Sequence, residues 1–188
     1  ARLARPTAGE IRQFIGPALG QRRGSRAWFR RVGVVYQNPN CQLFMPTVAQ
    51  EVAFAAKSED FAWEIMELFG IAHLSKRHPH SLSEGQKRRV SIAAVAASQP
   101  ELLLLDEPAA GLDPEERVRL REYIRQLGRD KIVLITTHIT GDVESIASEI
   151  LLLHHGVLLA DAPVEEFIRG CGAANLEDAY IRRLHPHA

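Results

Sequence analysis

The sequence predicts an α/β fold, in which a parallel sheet forms the core, a group of helices is inserted into it, and an antiparallel strand pair follows. Short runs of valine, leucine and isoleucine recur along the chain, segments with helical periodicity separate them, and one long stretch is patterned for helices throughout. With 188 residues, 46% of them hydrophobic, the chain can bury a core. We therefore treat residues 1–188 as a single domain.

Three apolar runs are the predicted parallel strands, at residues 32–36, 102–106 and 131–138. Continuous apolar runs of this length are typical of strands that are buried on both faces. Between the second and third runs, Asp113 can cap a helix, Pro114 suits its first turn, and a stripe of leucine and isoleucine leads to Gly128. The order of strand, helix and strand predicts a parallel crossover.

A helical subdomain is predicted at about residues 47–98, because strand patterning is absent there. One helix ends at Gly70, and a second runs from about Ser83 to Ser98. Near the C-terminus, residues 149–161 predict two strands with a turn near Gly156, and short helices follow at residues 163–169 and 176–184.

Charge and composition exclude several classes of protein. Lys plus Arg equals Asp plus Glu, at 23 each, so no net field favours nucleic acid or an anionic membrane surface. The two cysteines, Cys41 and Cys171, have no spacing typical of a disulfide framework or a zinc site. No apolar run approaches the ~20 residues of a membrane helix, and residues 1–10 lack the apolar core of a signal peptide. We expect a soluble chain without a nucleic-acid partner.

Two carboxylates end the leucine strand at residues 102–106. Open α/β sheets bind ligands at the carboxyl ends of their strands, where Asp106 and Glu107 should lie. Asp106 can hold Mg²⁺ through its water shell, and Glu107 can orient or deprotonate a water that attacks a γ-phosphate. A strand that ends in two solvated acids is the alternative.

The segment "LSEGQ" at residues 82–86 begins the second helix of the subdomain. The first-turn N–H groups and the positive end of the dipole favour an anion, and Gly85 would let a phosphate approach the backbone. Ser83 and Gln86 also form a capping box, which needs no ligand. The two interpretations are compatible with each other.

Five motifs in order carry a family resemblance: Gln37 in "VVYQ", then "LSEGQ", "LLLLDEP", Asp113 in "AGLD", and His138 in "LITTH". From about residue 6 to 161 the chain resembles the ATPase domain of ATP-binding cassette (ABC) transporters, which implies a P-loop-NTPase-like sheet and ATP with Mg²⁺ as cofactors. The resemblance implies catalytic roles for Glu107, His138 and the Q-loop residue Gln37. It further implies magnesium binding by Asp106 and Gln37, and nucleotide binding by Ser83, Gly85, Gln86 and Asp113.

The sequence departs from the family pattern in two places. Glu84 replaces the middle glycine of the commoner "LSGGQ", and its carboxylate would repel a γ-phosphate unless the side chain turns away. The phosphate-binding Walker A motif, Gly-x-x-x-x-Gly-Lys-[Ser/Thr], does not occur in residues 1–188. The resemblance therefore predicts an N-terminally incomplete domain, which starts in the last turn of the Walker A helix and does not hydrolyse ATP by itself.

The resemblance also implies partners. ABC ATPases form a head-to-tail dimer, in which the signature of one subunit faces the ATP of a second ATPase subunit, and they dock on a transmembrane subunit at the cytoplasmic face of the membrane. Residues 36–54 resemble importers of cobalt, nickel and vitamins of the energy-coupling-factor type, whereas residues 137–163 resemble exporter ATPases. We expect import of a metal ion or vitamin. An exporter ATPase, a DNA-repair or ribosome-associated ATPase, and a non-enzymatic partner subunit that contributes only a signature face are the alternatives.

Overall fold

The computed structural model describes residues 31–185. Five strands are present in this range: β1 (Val32–Val35), β2 (Leu102–Asp106), β3 (Ile132–Thr136), β4 (Glu149–His154) and β5 (Val157–Pro163). Seven α-helices accompany them in the same range: α1 (Val48–Ala53), α2 (Glu59–Leu68), α3 (Glu84–Ala97), α4 (Pro114–Leu127), α5 (Thr140–Ile146), α6 (Val164–Gly170) and α7 (Leu176–Leu184). The predicted α/β class, with a parallel sheet and an antiparallel strand pair, is confirmed.

The parallel sheet has the order β1, β2, β3. Val35 lies opposite Leu105, and Asp106 lies opposite Thr136, so the carboxyl ends of all three strands meet at one edge. Parallel pairing in this register is what aligns the residues that follow each strand. This edge carries the candidate site.

The expectation that all three strands are buried on both faces was wrong for β3 and for Val34 of β1, which is 36% exposed. In β2, Leu103 and Leu105 are buried on one face and Leu102 and Leu104 are half-buried on the other. In β3, Ile132 and Leu134 remain 55% and 45% exposed. Val133 and Ile135, which alternate with them, pack against the core. The apolar run of β3 has one covered face in residues 31–185, because successive side chains of a strand point to opposite sides.

The helices between β1 and β2 pack with the sheet rather than apart from it. Phe69 and Ile71 follow α2 into a core that also contains Val90 and Ile92 of α3 and Leu103 of β2. α3 contacts both α1 and β1. The helical insertion at residues 47–98 therefore shares one hydrophobic core with the sheet, and α3 is the element that joins the two.

The C-terminal part is built around the antiparallel pair of β4 and β5, whose register shifts between Leu152 and Leu153. α6 and α7 pack against this pair through a second small core that includes Phe167 and Ala179. Across residues 31–185, none of the helices has both the length and the apolar character that crossing a bilayer requires.

Candidate functional site

The carboxyl ends of β2 and β3 bring four polar residues together. The Thr136 hydroxyl donates to Asp106 Oδ1 at 2.6 Å, and the Glu107 amide donates to the Thr136 backbone oxygen at 3.0 Å. His138 Nδ1 lies 2.8 Å from Glu107 Oε1. The predicted grouping of Asp106, Glu107 and His138 is therefore present, with Thr136 as the residue that connects the two strand ends.

Glu107 is held in an unusual backbone conformation, with φ at +43°. A non-glycine residue rarely adopts positive φ, and such residues concentrate at functional sites. The Glu107 side chain is 21% exposed, and the His138 side chain is 76% exposed. Glu107 Oε2 is buried and has no hydrogen-bond partner among the described residues, so this oxygen is free to accept a hydrogen bond.

The start of α3 is capped as the sequence predicted. The backbone N–H of Gln86 donates to Ser83 Oγ at 3.3 Å, and the backbone N–H of Ser83 donates to Gln86 Oε1 at 3.1 Å. Each side chain thereby satisfies a backbone donor that a helix start leaves unpaired. Ser83 remains exposed, and its assignment to nucleotide binding stays a prediction, as does that of Gln86.

Gly85 is buried against α4 rather than open to solvent. A Cβ atom at this position would lie 3.0 Å from Glu116 Cδ and Oε2. Glu116 Oε1 in turn accepts from Arg89 Nη2 at 3.2 Å, in an ion pair that is largely buried. The missing side chain thus makes room for a carboxylate of the same chain, and its use for a phosphate stays a prediction.

Asp113 acts as the N-cap of α4, since its Oδ1 accepts from the Glu116 amide at 2.9 Å. Glu116 therefore connects Asp113 to the start of α3, through its backbone on one side and its carboxylate on the other. The nucleotide-binding role of Asp113 stays a prediction.

A cleft of about 360 Å³ opens beside this edge of the sheet. Gln37 and Asn38 line one side, Glu84 and Arg88 of α3 line another, and residues 110–112 close it. Glu84 Oε1 accepts from Lys87 Nζ at 2.9 Å, so the carboxylate that replaces the signature glycine is paired within its own helix. Lys87 thereby places a positive charge beside the carboxylate that, from the sequence, would repel a γ-phosphate.

Arg88 is 4% exposed and projects to this cleft. Burial lowers its pKa, and the carboxylates of Glu84 and Asp106 oppose that shift. The guanidinium remains charged, because the ordinary pKa of arginine lies far above neutral pH. Its positive charge therefore faces the region between the start of α3 and the end of β2.

Two groups of the predicted site residues are separate within residues 31–185. None of the hydrogen bonds there joins Ser83, Gly85 or Gln86 to Asp106, Glu107 or His138. Gln37 lines the cleft together with Glu84 and Arg88. The residues that sequence reasoning missed are Thr136, Arg88 and Glu116. Of these, Arg88 alone has a local signal, the basic run "QKRRV" inside a helix that otherwise buries mostly alanine, valine and isoleucine.

Comparison with known proteins finds relatives that match most of this chain. The energy-coupling factor transporter ATP-binding protein EcfA2 of Bacillus licheniformis is 37% identical over 181 residues, which cover 89% of this chain and 63% of the relative. The protein EcfA of Methanothermobacter thermautotrophicus is 38% identical over 176 residues, covering 88% and 56%. The chain thus spans less than two thirds of the length of these relatives.

A solved structure has the same fold. The cbiO1 structure from Clostridium perfringens, described as part of the ABC transporter complex cbiONQ, superposes with a TM-score of 0.68 at 28% identity, over 85% of this chain and 64% of that one. The profile of the ABC transporter family matches residues 1–110. The order of the motifs, the geometry at the strand ends and these matches agree, and the chain belongs to the ABC transporter family of ATP-binding proteins, resembling its energy-coupling-factor members.

Proposed function

We propose that this chain is the ATP-binding and hydrolysing part of an ABC transporter subunit, which couples ATP hydrolysis to transport. The observation that supports it most is Glu107 Oε2, which has no hydrogen-bond partner among residues 31–185, together with the Asp106 carboxylate that accepts from the Thr136 hydroxyl. A fixed carboxylate with one unpaired oxygen is suited to orient a water and accept its proton. The surrounding carboxylate and hydroxyl oxygens are ligands that suit Mg²⁺.

Each residue at the strand ends has a separate task in this proposal. Asp106 would hold Mg²⁺, and the hydrogen bond from the Thr136 hydroxyl to Asp106 Oδ1 orients this carboxylate. Glu107 is the general base, and His138 orients the Glu107 carboxylate while its exposed ring contacts the γ-phosphate. Gln37 contributes to the same site from the cleft, as a magnesium ligand and in positioning the water. Mg²⁺ held there would supply positive charge that offsets the negative charge of the phosphates.

The nucleotide of a second ATPase subunit is bound by four residues: Ser83, Gly85, Gln86 and Asp113. The start of α3 offers backbone N–H groups and the positive end of a helix dipole. Ser83 is exposed there, while Gly85 is backed by Glu116. The first helical residue, Glu84, is paired with Lys87, so a positive charge of the same helix lies beside its carboxylate. ATP would then be enclosed between two subunits arranged head to tail.

Residues 1–188 are proposed as part of one ATPase domain, with residues 47–98 as its helical subdomain. They contain no Gly-x-x-x-x-Gly-Lys-[Ser/Thr] motif, which would supply the β- and γ-phosphate contacts. Hydrolysis therefore needs a phosphate-binding loop from outside this stretch.

The transmembrane subunit is proposed to dock in a groove of about 270 Å³ beside β1 and α1. Phe44 and Phe54 lie at this groove and stack edge to face at 5.2 Å between ring centroids, yet they are 64% and 65% exposed. Glu51 is buried and accepts from the amides of Phe44 and Met45 at 2.8 and 2.7 Å, which holds the aromatic loop in place. Exposed aromatic residues on a rigid support are typical of interfaces.

Docking there would place the chain at the cytoplasmic face of a membrane. Relatives named as energy-coupling-factor proteins support import, and we propose a metal ion or a vitamin as the cargo.

The test of the proposed function is Glu107→Gln in the intact transporter. The amide can still bond to His138 but cannot accept a proton from water, so we expect ATP binding to persist while hydrolysis falls on the order of 10²- to 10⁴-fold. Glu115→Gln is the matched control, since Glu115 is exposed and pairs with Arg119 on the surface of α4. Hydrolysis at the parent rate by Glu107→Gln would overturn the assignment.

A further inference from the structure

The peptide groups of Tyr36, the residue immediately before Gln37, are held on both sides by side chains. The Tyr36 amide donates to Gln42 Oε1 at 2.8 Å. The Tyr36 carbonyl accepts from Arg88 Nη1 at 3.0 Å, across 52 residues of sequence. The backbone that enters the Q-loop is therefore fixed by two residues from different elements.

Gln42 is itself fixed by the sheet and by α3. Its Nε2 donates to the Val34 carbonyl at 2.7 Å, so the side-chain amide pairs with β1 as a neighbouring strand would. Ser91 Oγ donates to Gln42 Oε1 at 3.2 Å. Arg88 and Ser91 lie three residues apart, on one face of α3, and that face thus controls both contacts to Tyr36.

The burial of Arg88 is costly and needs a reason. Its Nε has no hydrogen-bond partner among residues 31–185, and the side chain is 4% exposed. A buried charge that is only partly paired is unfavourable for stability. A buried guanidinium that donates to a backbone carbonyl beside a predicted catalytic residue is more readily explained by positioning than by folding.

We propose that Arg88 and Gln42 are positioning residues for Gln37. They anchor the residue before it to α3, the helix whose first turn carries Ser83 and Gly85. A shift of α3 would then move Gln37 with it, so the signature end of the helix and the Q-loop would respond together. This inference rests on the proposed function, because it requires that Gln37 acts in ATP hydrolysis.

The test compares variants of the intact transporter by their steady-state ATP hydrolysis. Arg88→Met and Gln42→Met remove the hydrogen bonds to Tyr36; methionine matches glutamine in length and replaces the apolar stem of arginine. We expect kcat to fall on the order of 10- to 100-fold while KM for ATP changes less than about threefold, since misplacing a catalytic group lowers turnover rather than ground-state binding. Arg88→Lys can still donate one hydrogen bond to the Tyr36 carbonyl, and it should recover part of the loss.

A double-mutant cycle with Gln37→Ala separates positioning from a general structural effect. If Arg88 acts through Gln37, Arg88→Met should reduce kcat much less in the Gln37→Ala background than in the parent. Arg119→Met is the control, because Arg119 is an exposed residue of α4 that pairs with Glu115, and its small effect should be equal in both backgrounds.

The outcomes distinguish this inference from the proposed function. If Gln37→Ala hydrolyses ATP at the parent rate, the assigned role of Gln37 fails, and the proposal with it. If Gln37→Ala is slow but the effects of Arg88→Met and Gln42→Met are absent or fully additive with it, the positioning role alone is wrong. Thermal unfolding identifies variants that do not fold, and if Arg88→Met is one of them, Gln42→Met and Arg88→Lys decide the question by the same criteria.

Discussion

Gly85→Ala tests whether the glycine of the signature segment is required by Glu116 of the same chain. An added Cβ would lie 3.0 Å from Glu116 Cδ and Oε2 and 3.1 Å from Cγ, closer than ordinary contact. Glu116 cannot move away freely, because its carboxylate accepts from Arg89 at 3.2 Å and the Arg89 side chain is only 8% exposed. The substitution must therefore strain this ion pair or displace it.

Two opposing terms set the size of the effect. Overpacking of a close contact costs about 1–3 kcal/mol, whereas alanine in place of glycine within a helix contributes up to about 1 kcal/mol of stability. We expect a net loss on the order of 1 kcal/mol for Gly85→Ala. In a Glu116→Ala background the clash is gone, so the same substitution should become neutral or stabilising by up to about 1 kcal/mol.

The assay is urea unfolding followed by circular dichroism, on the two single variants and the double variant. Gly141→Ala is the matched control: Gly141 is also the second residue of its helix, and a Cβ there would have no atom within 4 Å, so its effect should be neutral or stabilising. An equal loss from Gly85→Ala with and without Glu116 would refute the argument, as the strain could not then come from the carboxylate.

Two further predictions concern the docking groove and the C-terminal helix. With the exposed Cys41 replaced by serine, Phe44→Cys should crosslink to the transmembrane subunit, because Phe44 is 64% exposed at the groove; crosslinks from Ile181→Cys on α7 alone would contradict the proposed docking. The Arg182 side chain and the Ala174 amide hold the pKa of Asp178 below its ordinary value. This stabilisation is present above the unfolded-state pKa and is lost as pH falls through the folded-state pKa. In urea unfolding from pH 7 to about pH 3, Asp178→Asn should therefore lose less stability than the parent protein. A parallel pH dependence of the two proteins would exclude that role.

Local interactions allowed the sequence to predict the ends of helices and the kinds of element. Ser83 and Asp113 cap α3 and α4 as their types and positions predicted, because a cap is formed within three residues of the helix start. The parallel crossover from β2 to β3 was predicted from the helix between them, and the parallel pairing aligns the strand ends at Asp106 and Thr136. The expectation that β3 is buried on both faces was wrong, because the composition of a strand does not say what covers each face.

Contacts between distant segments were decided only by the tertiary structure. Thr136 reaches Asp106 across 30 residues, and Arg88 reaches Tyr36 across 52. Threonine at a strand end and arginine in a helix are usually solvated side chains. Their sequence neighbours do not show whether such a side chain is solvated or bonds to a distant segment. The sequence by itself determined the motifs and the elements that carry them. The register of β2 with β3 decided that Thr136 meets Asp106, and the packing of α3 against β1 and α4 decided that Arg88 meets the Tyr36 carbonyl. Hydrogen bonds depend on distances that only the folded chain sets.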